Sequence, residues 1–503
     1  MARLHEYEGK ALLKAAGVAV PRGGVAGTAE EAAAVARSLA GPVVIKVQAW
    51  TTGRAAIGGV AFADTPEEAA KHAARMLAMK VGHFPVTKVL VEEKLAIAQE
   101  FFVSLAVDER ERSPVLLVAA GGGTGIEERG REVCRVACGV HTGVDSAGLA
   151  RALAGVDAAL RDKLTPAINA VFTVAKQHEA RSVEVNPLVV TRDGRVMAAD
   201  CRMTIDDYAV FRHPELGIEI ARELDHPPTE LERVAYAVEQ ADHRGTFFFA
   251  QMNTAAAEGS KGLIGFHGAG GGGSMMSMDA ITAEGFTVAN FCDTSGNPSP
   301  AKVYRAARII LSQPGLAGYF GSGSGVANQE QYWSAYGLAK AFWELDLDIP
   351  AVVRLGGNTE DRAVAILEGA AKAAGLRAVV EGYRKTDTPA KIAARFAELV
   401  GEAARAWTPR KARQPSFVAS SGAVSFATKQ GKLWIDLAAW KRNAAAIVSR
   451  SSGLLKDDGG RPVLTVTPED LMSKDSELIA CEVECRIAEV EGVFVELELP
   501  GLV

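Results

Sequence analysis

The chain has 503 residues, 48% hydrophobic and 23% charged, with a formal net charge of −6. That is longer than one hydrophobic core supports, so three or more folding units are expected, and the mild acidity leaves no electrostatic footprint for nucleic acid or a membrane surface. No apolar run reaches bilayer length, and six cysteines in a chain this long do not make a disulfide framework. The N-terminal stretch MARLHEYEGKALLKAAGVAVP sets acids among apolar residues, which predicts an amphipathic helix and not a secretion signal. Cys134/Cys138 and Cys481/Cys485 share a C-x₃-C spacing with no His or further Cys cluster beside them. Reduced, buried thiols are expected there, and with them a cytoplasmic location.

Ala-rich helical patterns at 31–40 and 66–80 bracket GPVVIKVQAWTTGRAAIGGVAFAD. Val43-Val44-Ile45 reads as a buried strand closed by Lys46, and Val60–Ala63 as its neighbour. Between them lie Gly53-Arg54 and Gly58-Gly59. A lysine at a strand end, then a mobile glycine-containing turn with an arginine, supplies the point charge and backbone N–H groups that a phosphate needs. The G-x₄-G-K-[ST] loop is absent, and a surface hairpin with incidental basic residues explains the segment equally well. Further on, VTKVLVEEKLAIAQEFFVSLAVDERER reads as two strands around an acid-bearing loop. Glu92 and Glu100 are spaced to line one cleft as acceptors; two solvated acids on a hairpin are the plainer alternative.

The stretch VEVNPLVVTRDGRVMAAD, residues 183–200, predicts a hairpin. If Arg192, Asp193 and Gly194 form a three-residue loop with Gly194 left-handed, Asn186 falls opposite Asp200. Alternation then puts Glu184, Asn186 and Asp200 on one face and Val183, Val185 and Val189 on the other. Two opposed oxygen ligands suit a hard cation such as Mg²⁺. A two-residue turn would shift the register and part them, and a hairpin with a polar outer face needs no metal at all.

In that order, LHEYEGKALLKAAGVAVPRG, VVIKVQAWTTGRAAIGGV, VEEKLAIAQEFFVSLAVDER, VEVNPLVVTRDGRVMAAD and FRHPEL strongly resemble the β subunit of succinyl-CoA synthetase, an ATP-grasp family. The resemblance covers about 1–215 and continues more loosely to about 400. It implies that Lys46, Gly53 and Arg54 contact nucleotide phosphates, that Glu92 and Glu100 hold the adenosine side, and that Asn186 and Asp200 ligate Mg²⁺. Glu184 is then an acid orienting those ligands or their waters. Ala55 and Ala56 stand where the family carries further Gly and Lys, and Trp50, Thr51 and Thr52 replace smaller or different residues, so nucleotide affinity and the ATP or GTP preference are open.

From about 262 the pattern becomes β–loop–α: GLIGF, VANFCD, LAGYFG, PAVVRL and RAVVEG are strands, with glycine-rich loops and helices between them. This predicts a parallel sheet with right-handed crossovers and ligands beyond the strands' C-terminal ends. The loops are expected to feed helix N-termini, where free N–H groups attract anions. GAGGGG alone is a weak dinucleotide signal. GAG before a helix, NFCD and VVRLGGN instead echo the carboxy-terminal ligase domain of the same β subunit. By that resemblance Gly321, Ser322, Gly323, Ser324 and Gly325 face a phosphohistidine supplied by an α subunit. His267 stands where the family has an Asn near the acyl substrate, and the third loop has become GSGSGVANQ. Succinate is therefore not the expected acid. His267 is a candidate donor to a substrate carboxylate or carbonyl, or a histidine packed locally, on even terms.

Residues 216–260 read as a charged, partly helical connector. Beyond Pro409 the resemblance stops, at the basic linker RKARQPSF. GKLWIDLAAWKR and LIACEVECRIAEVEGVFVELELPGLV predict a small β-rich module without a catalytic set, suited to subunit contact. The expected architecture is α/β: an ATP-grasp fold over 1–215, a connector over 216–260, a flavodoxin-like CoA-ligase domain over 261–408 and an extension over 409–503. The expected function is the nucleotide-binding β-like subunit of an NDP-forming acid–CoA ligase. It uses Mg²⁺ and ATP or GTP, joins an α-like partner that carries the phosphohistidine and most of the CoA site, and acts on a small carboxylic acid. The alternatives are succinate, malate or citrate as substrate, a non-catalytic ATP-grasp subunit, or, far behind, a Rossmann oxidoreductase.

Overall fold

The computed structural model describes residues 2–51, 53–122, 133–222, 224–242, 247–323, 327–403, 422–467, 470–471, 474–499 and 501, with the backbone alone at 327–329. It divides into two compact units, Met1–Pro228 and Thr229–Val503. No helix among the described residues is long and apolar enough to cross a membrane.

The first unit holds two main sheets. The smaller runs Gly23–Ala26, Val89–Glu93, Val43–Val47, Val60–Ala63, all antiparallel. Helices Ala29–Leu39 and Pro66–Leu77 bury their alanines in the same core as this sheet; Thr28 and Thr65 cap them by accepting from the N–H groups of Glu31 and Glu68. Along Val43–Val47, the side chains of Val43, Ile45 and Val47 enter that core. Alternation therefore turns Lys46 to the opposite face. Val89 and Val91 likewise send Glu92 to that face from the neighbouring strand.

The larger sheet has eight strands, in the order Ala2–Leu4, Arg202–Ile205, Ala180–Thr191, Ile97–Asp108, Ser113–Ala120, Cys134–Gly139, Gly143–Val144, with Val196–Ala198 paired to Ala180–Thr191. The expected hairpin forms. Gly194 takes φ +80°, its N–H donates to the Thr191 carbonyl, and Leu188, Val189 and Val190 face Ala198, Met197 and Val196. The Ala199 N–H donates to the Pro187 carbonyl, one step short of the Asn186 and Asp200 pair. The register shifts, however, between Val185 and Leu188 against the strand Ile97–Asp108. Leu188 pairs with Phe101 and Val189 with Glu100, so Val189 shares a face with Glu184, contrary to the simple alternation.

In the second unit the central sheet runs Phe248–Gln251, Asn290–Asp293, Leu263–Ala269, Leu316–Gly323, Ala351–Arg354, Val380–Tyr383. All pair in parallel except the first, an antiparallel edge strand contributed by the 216–260 connector. Numbered along the chain, the parallel strands stand in the order 2-1-3-4-5, the flavodoxin-like order. The switch point lies between Leu263–Ala269 and Leu316–Gly323. Chain beyond 421 adds a three-stranded antiparallel sheet (Ala423–Thr428, Gly431–Asp436, Val493–Leu497) and the helices Leu437–Arg450 and Asp475–Ile487. The segment Leu478–Ile487, expected as a strand, is helical. Its Leu478, Ile479, Cys481, Val483 and Cys485 join one core with Ile309, Phe342 and Leu367, so packing against three helices overrides its period of two. The linker RKARQPSF lies outside the described residues.

Candidate nucleotide and metal site

The first helix, Glu6–Ala15, brings Glu6 and Lys10, one turn apart, against the polar face of the small sheet. Both are buried, at 5% and 3% exposure. Lys10 Nζ donates to both Glu92 oxygens at 2.7 and 2.8 Å and to the Ala199 carbonyl at 2.8 Å, and stands 2.7 Å from Glu6. Lys46 Nζ donates to Glu6 Oε1 at 2.8 Å and to the Ala199 carbonyl at 2.7 Å, and lies 2.9 Å from Glu92. Arg54 spans the group: Nη1 donates to Glu6 Oε2 and Nη2 to Asp200 Oδ2, each at 2.5 Å. Three cations and three carboxylates thus meet where the small sheet faces the far end of the hairpin.

Burial alone would raise the Glu6 carboxyl, but Lys10, Lys46 and Arg54 hold it well below the usual carboxylate range. Burial works against the charge on Lys46 and Arg54 too, and is overcome: Glu6, Glu92 and Asp200 raise Lys46, while Glu6 and Asp200 raise Arg54. Both stay cationic at every physiological pH. The cluster is graded in access. The Glu6, Lys10 and Glu92 side chains are at most 4% exposed, Arg54 and Lys46 are 12% and 13%, and Asp200 is 26%.

The structure therefore brings Lys46, Arg54, Glu92 and Asp200 together. It does so through Glu6 and Lys10, whose i, i+4 spacing in LHEYEGK is the one local sign of their pairing. Glu92 is placed differently from the expectation. Only 2% exposed, it sits at the base of the cluster with both oxygens on Lys10, and not at a cleft rim open to a ribose or an amine. Glu100 lies on the neighbouring strand opposite Val189, half-buried. Glu184 pairs with Ser104 on one side and Arg202 on the other. Gly53 takes φ +63°, with open space where a side chain would be.

Asp200 Oδ1 accepts from the Cys201 N–H at 2.7 Å, so the carboxylate is aimed from two sides. Asn186 and Asp200 are adjacent in the hairpin register and both offer oxygen, the donor that a hard cation takes. The residues present thus fit Mg²⁺: Asp200 and Asn186 would hold it, and it would supply charge neutralisation to phosphate oxygens. Chemically, an incoming phosphate can replace the more exposed Asp200 at Arg54 while Glu6 and Glu92 keep their cations, so no buried charge is stranded.

At the second unit's switch point the expectations fare unevenly. His267 lies inside the strand Leu263–Ala269, not in a loop, and is 6% exposed. Nδ1 bonds the Tyr319 hydroxyl and Nε2 lies 3.2 Å from Thr294 Oγ1. Burial lowers its pKa to about 4, so it is neutral. Gly321, Ser322 and Gly323 are the last residues of their strand, beside His267, Gly268 and Ala269. They do not run into a helix: the strand Ala327–Glu330 intervenes before the helix Tyr332–Glu344. Ser322 Oγ accepts from Ser277 Oγ at 2.7 Å. Ser324 and Gly325 lie outside the described residues. The helix that does start directly at the switch point is Gly271–Ala283, with Gly271 and Gly272 facing open space and no side-chain cap. At Gly268 a Cβ would come within 2.8 Å of the Cys292 carbonyl, so close packing requires glycine there.

Comparison with known proteins agrees with the first unit's architecture. Residues 3–190 match the family model of an ATP-grasp domain. The chain is 34% identical over 373 residues to the β subunit of a GDP-forming succinate–CoA ligase from Thermus thermophilus, covering 73% of this chain and 93% of that one. It is 32% identical over 406 residues to the β subunit of an ADP-forming succinate–CoA ligase from Chloroflexus aggregans, covering 79% and 100%. The structure of ATP citrate lyase from Methanothrix soehngenii with citrate and coenzyme A matches with a TM-score of 0.65 over 79% of this chain and 99% of that one. At 18% identity that is a likeness of fold.

Proposed function

Since the chain belongs to the succinate–CoA ligase β-subunit family, we propose that it is the nucleotide-binding subunit of an NDP-forming carboxylic acid–CoA ligase. In this reading it works with an α-like partner that carries a phosphorylated histidine and most of the CoA site. The observation that carries the proposal is the graded ion cluster, in which Lys46 and Arg54 stand charged beside the more accessible Asp200. Arg54 turns from Asp200 to the transferring phosphoryl group, and Lys46 neutralises charge developing on its oxygens. Asp200, released, would join Asn186 in holding Mg²⁺, which would supply neutralising charge to the phosphate. Glu6 and Glu92 keep the two cations aimed. Glu100 and Gly53 complete the nucleotide's surroundings, and Glu184 orients the ligands on the hairpin.

For the acid, our reading is a carboxylate other than succinate, bound in the second unit's crevice near Gly321–Gly323. Its support is the lengthened third loop and the placement of those residues at the switch point of a parallel sheet. His267 takes a supporting part, since both its nitrogens are engaged inside the fold. A second reading, succinate itself, is favoured by 32–34% identity to named succinate ligases over at least 93% of their length. The test is to co-purify the α-like subunit and screen mono- and dicarboxylic acids, aromatic ones included, for ADP or GDP release that needs both acid and CoA. The proposal expects such release, at least tenfold faster with another acid than with succinate. Release with succinate alone selects the second reading. Mg–nucleotide binding without release for any acid contradicts both.

A further inference from the structure

A second set of donors gathers where the helix Ala158–Gln177 ends. His178 is that helix's C-cap, and Glu179, at φ +49°, turns the chain into the strand Ala180–Thr191. His213 sits between two short 3₁₀ turns, Val210–Arg212 and Pro214–Leu216, the second of which carries Glu215. His213 Nε2 lies 3.1 Å from Glu179 Oε2, and its Nδ1 lies 3.2 Å from Glu215 Oε1. His178 Nδ1 is buried without a hydrogen-bond partner, 3.9 Å from the same Glu215 oxygen. One donor atom from each of His178, His213 and Glu215 lies within 4.8 Å of the other two.

With a neutral His213 the protons do not balance in the bare protein. A neutral imidazole has one N–H and one lone pair. Glu179 is fixed by two bonds from Arg212, at 2.7 Å each, and accepts at His213 Nε2. The Nδ1 lone pair of neutral His213 then points at a carboxylate oxygen that is also only an acceptor. His178 Nδ1 adds a further unsatisfied atom beside them. A carboxylate on the far nitrogen is what fixes tautomer and ring orientation in metal-bound histidines.

We propose that His178, His213 and Glu215 form a site for a divalent transition-metal ion of the zinc class. Donors about 2.0–2.2 Å from a tetrahedral ion stand roughly 3.3–3.6 Å apart, close to the 3.2 and 3.9 Å seen here. Two imidazoles and one carboxylate leave a fourth position to water. The nitrogen donors discriminate against Mg²⁺, which takes oxygen, so this site and the hairpin site do not share an ion. Its role is to pin the end of a long helix to the segment bearing the 3₁₀ turns. The rival is a metal-free His213 imidazolium donating to both carboxylates, which leaves His178 Nδ1 orphaned.

The test uses the full chain, stripped with chelator and titrated with Zn²⁺ in saturating Mg²⁺. One equivalent should bind at micromolar Kd or tighter and raise the melting temperature. Co²⁺ in its place should give the absorption of a low-coordinate N/O site. His178→Ala and His213→Ala should each weaken binding at least about 100-fold, while Asp200→Ala, on the hairpin, leaves it unchanged. No saturable equivalent, or binding undiminished in both histidine variants, overturns the proposal.

Discussion

In the first unit Lys46 stands between Glu6 and Glu92 with its side chain 13% exposed, and Arg54 reaches to Asp200, 26% exposed. In the second, Lys340 lies between Glu344 and Glu482, 2.6 and 2.9 Å away, with all three side chains at most 5% exposed. Arg308 and Tyr304 close the Glu344 side. The charges are alike and the access is not. A cluster with one end near solvent can trade a carboxylate for a phosphate. A sealed one has no exchange partner and acts only by holding the helix Asp475–Ile487 to the helix Tyr332–Glu344. Desolvation is felt accordingly: burial, against the pull of Lys340, pushes Glu482 up to about 7.

Substitutions can break this contrast from either side. The largest effect is expected at the open cluster. Asp200→Ala should cut turnover with the partner subunit roughly 10³-fold, about 4 kcal/mol of transition-state stabilisation. Melting temperature and assembly should stay as in the parent protein. A variant that turns over normally would remove Asp200 from the metal. Next is Lys340→Met, which leaves Glu482 buried without its cation. Denaturant unfolding should show a loss of about 3 kcal/mol, with nucleotide binding by the folded protein unchanged.

The sequence spoke clearly where the physics is local. The hairpin register follows from Gly194 and the loop length, so the pairing of Leu188–Val190 with Val196–Ala198 was readable before any coordinates. The strands read at Val43–Ile45 and Val60–Ala63, which the structure pairs, are of the same kind. What stayed hidden depends on distant partners. Glu6 and Lys10 gain their meaning from Glu92, Lys46 and the Ala199 carbonyl, 36 or more residues away. The bulge that moves Val189 to the other face leaves no mark in VEVNPLVV. Gly321–Gly323 looks like a loop because glycine has no side chain to declare a strand; pairing with His267–Ala269 and Val353 makes it one. Ile479, Cys481, Val483 and Cys485 alternate as a strand would, and only tertiary packing decides for helix.

Smaller effects sharpen the comparison. His267 is neutral in the fold, with a pKa near 4, against about 6.5 when unfolded. Its folded value is the lower one, so its contribution is whole above pH 6.5 and is lost as pH falls toward 4. Between pH 7 and 5 this amounts to about 2 kcal/mol. In stability measured against pH, His267→Gln should flatten that slope; an unchanged slope would assign it to other groups. Smallest is Glu482→Gln. A carboxyl raised to about 7 is already half protonated at neutral pH and loses little by becoming an amide, so a change under about 1 kcal/mol is expected, far less than for Lys340→Met, which removes the cation from both Glu344 and Glu482. Equal losses in the two variants would mean that Glu482 is fully ionised.

The most direct test of the open cluster is calorimetric titration of the full chain with ATP and GTP, with and without Mg²⁺, in the parent protein, Arg54→Met and Asp200→Asn. The account predicts Mg²⁺-dependent binding, weakened at least tenfold by Arg54→Met and stripped of its Mg²⁺ dependence by Asp200→Asn. Binding with the same affinity and the same Mg²⁺ dependence in all three proteins would contradict it.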